Sequence, residues 1–151
     1  MTHPSIHTTL AHSYLVYFVC SVVGLFADTL IGFDVTMRFG PQIAIICFGA
    51  GALLIACAQY TSRYYAKHEG DSPSSPYFFH GPYRYMRNPT HLGMVILVTG
   101  YTVVSGSIVF FVLTLIGYLV SNIFFHTYEA ILTRTYDGEY KNYQSKVPKI
   151  L

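Results

Sequence analysis

A chain of 151 residues that is 52% hydrophobic and 11% charged, with a mean hydropathy of +0.41, is too apolar for an ordinary soluble domain and reads as a single membrane domain over residues 1–151. A net charge of +2 supplies no basic stripe to neutralise a phosphate backbone, which excludes a nucleic-acid partner. Cys20, Cys47 and Cys57 are odd in number and lie inside apolar runs, so neither a disulfide framework nor a spaced metal site is expected.

The first apolar run, residues 10–27, is long enough to cross most of a hydrocarbon core of roughly 30 Å. No Lys or Arg precedes it and no small-residue cleavage site follows, so it is expected to be a retained helix and not a signal peptide. A connection carrying Asp34 and Arg38 leads to Pro41, suited to the first turn of a helix. The second span is predicted over residues 43–60, where Gly49, Gly51, Ala52, Ala56 and Ala58 favour close packing on a partner helix. Residues 61–79 are polar, with 72–76 reading as an irregular loop, and His68, Glu69 and Asp71 there read as solvated and not as metal ligands.

Asn88 is a good N-cap and Pro89 fits the first helical position, so a third span is predicted over residues 89–104. Ser105, Gly106 and Ser107 make a turn into a fourth span, 108–125, which pairs the last two spans as a helical hairpin. Beyond it, Tyr136, Tyr140 and Tyr143 fall at i, i+4 and i+7 and predict a separate amphipathic helix, lying along the membrane interface or covering a cofactor. The expected fold is all-α and polytopic. Eight of the nine Lys and Arg residues follow span two or span four and only Arg38 lies on the other side, which predicts both termini and residues 80–89 in the cytosol.

Two regions then meet at one membrane face. Arg84 and Arg87 stand beside the start of the third helix, where free backbone N–H groups and the helix dipole suit a carboxylate or phosphate. Gly93 and Gly100, seven residues apart, leave a groove for a neighbouring helix or a ligand. On the fourth helix Asn122, His126 and Glu129 line one face, and ionisable groups at that depth need a partner.

The string from Gly81 to Gly93, GPYRYMRNPTHLG, resembles the first motif of the integral-membrane methyltransferases that include isoprenylcysteine carboxyl methyltransferase and the phospholipid N-methyltransferases, with His91 where the usual residue is Tyr. Glu129, Leu132, Tyr140, Tyr143, Val147 and Pro148 match the family's second motif, with Tyr136 standing for Phe. Two positions depart: Tyr128 replaces the first Glu of that motif, and Asp137 occupies a Gly position, with Gly138 one residue late.

The resemblance implies methyl transfer from S-adenosylmethionine to a lipophilic acceptor, such as an isoprenylcysteine carboxylate or a phospholipid, at the cytosolic membrane face. It implies catalytic roles for Arg87, His91 and Glu129, and a cofactor site drawn from Tyr83, Arg87, Asn88, Pro89, His91, Gly93, Gly100, His126, Glu129, Tyr140 and Tyr143. No metal is expected. Two other classes stay open: an NADPH-dependent membrane reductase, similar in its helical arrangement to sterol reductases, and a non-catalytic four-helix protein, which the Tyr128 and Asp137 departures favour.

Overall fold

The computed structural model describes residues 6–31, 38–68 and 76–149. Four helices carry the fold: α1 (Ile6–Ile31), α2 (Gly40–His68), α3 (Pro89–Ser105) and α4 (Ile108–Lys146). Two short 3₁₀ turns, Tyr77–Phe79 and Gly81–Arg84, lie between α2 and α3, and the described residues contain no strand. The connection carrying Asp34 and the loop carrying Glu69, Asp71 and residues 72–75 lie outside the described residues. Within α2 the stretch Gly40–Tyr65, and within α4 the stretch Ile108–Tyr136, are long and apolar enough to cross a membrane, while Leu15–Ile31 and Pro89–Ser105 are shorter apolar helices. Phe18, Leu30, Ile45 and Ile123 among others stand exposed, as side chains do that face lipid instead of water.

The closest helix packing lies outside the pair that the predicted hairpin joins. Gly106 takes a left-handed φ of 67° and donates its N–H to Thr102, and Ser107 caps α4 by accepting from Phe110 N at 3.1 Å, so the tight turn is present. The two helices it joins touch through side chains at both ends, Tyr101 with Phe110 near the turn and His91 with Ser121 far from it, while the closer packing is of α3 on α2 and of α4 on α1. Small residues decide this. A Cβ on Gly51 would meet the carbonyl oxygen of Gly93 at 2.8 Å, and one on Gly100 would meet Cys47 Cβ at 2.8 Å, so α2 and α3 cross backbone to backbone. On the other side Gly24 lies under the Phe110 ring and Gly117 beside Cys20, which fits α1 against α4 in antiparallel sense. The groove left by Gly93 and Gly100 is thus filled by α2.

Nor is there a separate C-terminal amphipathic helix. α4 runs unbroken through 39 residues, about 58 Å at the usual rise, so a length well beyond the roughly 30 Å hydrocarbon core projects from it. The change from apolar to polar near His126 alters the surroundings of the helix without removing any backbone hydrogen bond; the helix ends only at Val147, just before Pro148. Gly138 sits inside this projecting part, and a methyl group added to it would meet nothing within 4 Å. Gly138→Ala is therefore expected to stabilise the protein by about 0.5–1 kcal/mol, read as a higher unfolding midpoint in detergent; a lower midpoint would show that the site is not open helix surface.

Candidate functional site

The chain enters α3 through a fixed turn. Gly81 has φ 53°, a left-handed value that favours glycine, and lies against the Thr61 side chain in the last part of α2. The 3₁₀ turn that follows hands the chain to Asn88, whose side chain accepts from His91 N at 3.3 Å, with Pro89 in the first turn. Both local expectations for this helix start hold.

Arg87 faces away from α3 and joins three distant parts of the chain. Its Nη1 lies 2.7 Å from Glu129 Oε1 on α4, and its Nε donates to the Val147 carbonyl at 3.1 Å. The side chains are only 17% and 11% exposed, so this is a charge-assisted contact shielded from solvent and not a surface pair. Neither residue is exhausted by it. Arg87 retains N–H groups without a partner among the described residues, and the second carboxylate oxygen of Glu129 accepts no hydrogen bond there. Arg84, the other candidate at this end, is exposed.

Beneath this pair lies an aromatic core. Phe78, Phe125, Tyr128, Leu132, Tyr140, Tyr143 and Val147 are buried together, with Tyr77, Phe79, Tyr83 and Tyr136 against them. Tyr143 donates its hydroxyl to the Tyr83 carbonyl at 2.6 Å, fastening α4 to the turn that carries Arg87. Tyr128 occupies the position of the missing carboxylate, and its hydroxyl pairs with that of Tyr77 at 2.6 Å. A charge there would be buried among rings. Tyr140 and Tyr143, expected from the sequence to lie along the interface or over a cofactor, are 1% and 2% exposed and pack inward on Phe78, so they buttress the site from within.

Burial pushes the phenols of Tyr77, Tyr140 and Tyr143 well above the ordinary tyrosine range. An unfolded tyrosine titrates near 10, so above that pH the unfolded chain loses protons that the folded chain keeps, and stability falls as pH rises. Melting temperatures in detergent are expected to be insensitive to these groups below about pH 9 and to drop from pH 10 upward, with a shallower drop in Tyr140→Phe. Equal slopes for wild type and variant would remove this residue from the effect.

His91 points the other way, toward α1 and α4. It is 5% exposed, with Nε2 at 3.3 Å from Tyr17 Oη and 3.4 Å from Ser121 Oγ, and Ser121 Oγ lies 3.2 Å from Tyr17 Oη. Tyr17 and Ser121 carry no signal in the sequence. A lone Ser in an apolar helix normally bonds its own backbone, as Ser121 also does to the Tyr118 carbonyl at 2.9 Å, and only the place of α1 against α4 reveals the cluster. His126 is exposed and meets Lys149 Nζ at 3.3 Å, so the chain end turns back beside α4.

The structure therefore brings Arg87, Glu129 and the start of α3 together, sets Tyr140 and Tyr143 behind them, and gives Gly93 and Gly100 to the contact with α2. No curated protein matches the chain, and no solved structure does. Residues 42–139, which run from α2 through most of α4 and hold the Arg87–Glu129 pair, match the phospholipid methyltransferase family. This integral membrane protein belongs to the phospholipid methyltransferase family.

Proposed function

We propose that the protein transfers a methyl group from S-adenosylmethionine to a lipophilic acceptor at the cytosolic face of the membrane, with α1 to α4 all crossing it and both termini on the cytosolic side. The observation that carries this reading is the Arg87–Glu129 contact, which ties the start of α3 to α4 and leaves one cationic and one anionic group with spare hydrogen-bonding capacity. That donor set suits the cofactor: Arg87 would take its carboxylate, and Glu129 its ribose hydroxyls. When bound, the cofactor supplies a methyl group already activated on a sulfonium.

The residues then have to position more than to activate. Asn88 fixes the start of α3 and so the distance between Arg87 and His91. His91, held in place by two hydroxyls on its Nε2, hydrogen-bonds the cofactor or takes the proton of an amine or thiol acceptor. The long apolar helices keep water away from the acceptor side.

Titration calorimetry of the detergent-purified protein with S-adenosylhomocysteine and, separately, NADPH tests the assignment. Saturable binding of the first alone is expected. Binding of NADPH alone would move the protein to the reductase class, and binding of neither by folded protein would end the enzymatic reading.

A further inference from the structure

The chain end carries a cation with no carboxylate beside it. Val147, held through its carbonyl by Arg87 Nε, and Pro148 bring Lys149 back against α4. There its Nζ donates to His126 Nε2 at 3.3 Å and stands 5.2 Å from the centroid of the Phe125 ring. The side chain is half-buried, and among the described residues it meets no carboxylate. An imidazole nitrogen and a ring face steady an ammonium group without neutralising it, and His126 takes only one of its three N–H groups. Shielding part of such a charge from water costs free energy unless an anion joins it.

The surrounding side chains do not supply that anion. Glu129 is engaged by Arg87, and Tyr128 stands where the family's second motif has another carboxylate. Two cations and one anion therefore gather where the chain end meets α4, and the surplus is one positive charge. Spacing says what could cancel it. Glu129, which meets Arg87, and the pair Phe125 and His126, which meet Lys149, are one turn apart on α4, about 5 Å of rise. A carboxylate that accepts an N–H on each oxygen, at about 2.8 Å apiece, bridges a gap of that order.

Resting on the methyltransferase reading, we infer that Lys149 is the second anchor of the cofactor's carboxylate: Arg87 holds one oxygen through a spare N–H, Lys149 holds the other, and His126 keeps the ammonium group aimed between them. Like charge then keeps the cofactor's sulfonium away from Lys149, so the lysine orients the cofactor as well as holding it. Lys149 lies beyond the family-matched residues 42–139, and the contact belongs to this chain's own end.

The test is titration calorimetry of the full chain in detergent with two ligands: S-adenosylhomocysteine, and S-adenosyl-3-thiopropylamine, the same molecule without its carboxylate. Lys149→Met keeps an apolar stem over Phe125 and removes the charge. It is expected to weaken S-adenosylhomocysteine about tenfold, the scale of one charge-assisted hydrogen bond, and to leave the amine unchanged. Lys149→Arg should return most of the lost affinity, and the unfolding midpoints of both variants should stay close to that of the wild type. Equal weakening of the two ligands would make Lys149 a brace for the chain end and overturn the inference. Unchanged S-adenosylhomocysteine binding in Lys149→Met would overturn it too, while leaving the methyltransferase reading in place. Folded wild-type protein that bound neither ligand would instead remove that reading, and the inference with it.

Discussion

Arg87→Ala is expected to lower stability in detergent by roughly 3 kcal/mol and to abolish binding of S-adenosylhomocysteine. The stability loss follows from the geometry. Removing the guanidinium leaves Glu129 mostly shielded from solvent with its ion-pair partner gone, and frees the Val147 carbonyl that anchors the end of α4. The figure sits at the low end of what a broken buried pair costs, because 17% and 11% exposure lets water relieve part of the charge. A fall in both properties would by itself say nothing about which one Arg87 serves. Adding Glu129→Gln separates them, since a neutral amide of the same size needs no cation. The double variant should recover most of the stability and none of the cofactor binding. Restored binding in that variant would show Arg87 to be a structural clamp.

The same pair shows how far the sequence can be read. Asn88 and Pro89 announce the start of α3 because capping is a local matter, settled by residues within one turn of each other. Gly106 and Ser107 announce the turn into α4 for the same reason. Arg87 and Glu129 are legible as two groups at one membrane face, but the third member of their contact is the backbone of Val147, and a carbonyl has no signature in a sequence. The expected turn is present and the helices it joins touch, but their closest partners lie elsewhere, for a physical reason. A short turn fixes that two helices are consecutive, whereas which helices pack most closely depends on where small residues let backbones approach, and those residues face α2 and α1. Polarity suggests a break after the fourth span, although only loss of the backbone ladder ends a helix. The aromatic stripe is visible as a stripe; its inward direction depends on Phe78, which arrives from the segment before α3. Tyr17 is invisible because its partners lie 74 and 104 residues away.

Glycines carry this lesson furthest, and Gly93→Leu is the second large effect expected. A Cβ at position 93 would stand 2.6 Å from Ile55 Cγ1 and 3.0 Å from the Gly51 carbonyl oxygen. Ile55 can turn aside, but the carbonyl belongs to the α2 backbone, so relief requires the two helices to part. Within a bilayer such parting has no hydrophobic compensation, since lipid tails are as apolar as the side chains, and the lost close packing is the whole cost. Overpacking of this kind destabilises by about 1–3 kcal/mol, and a leucine here belongs at the upper end. The functional loss should exceed the stability loss, because His91 lies two residues away on the same helix and its contacts with Tyr17 and Ser121 are set by where α3 rests on α2. Gly49→Leu is the matched control: it lies on the same helix pair with nothing within 4 Å, and it should cost little. Unfolding in detergent, followed for both variants with titration of S-adenosylhomocysteine into each, decides the matter. Equal behaviour of the two would mean that the α2–α3 crossing does not hold the site, and a stable Gly93→Leu protein with normal binding would mean that His91 keeps its place by some other contact.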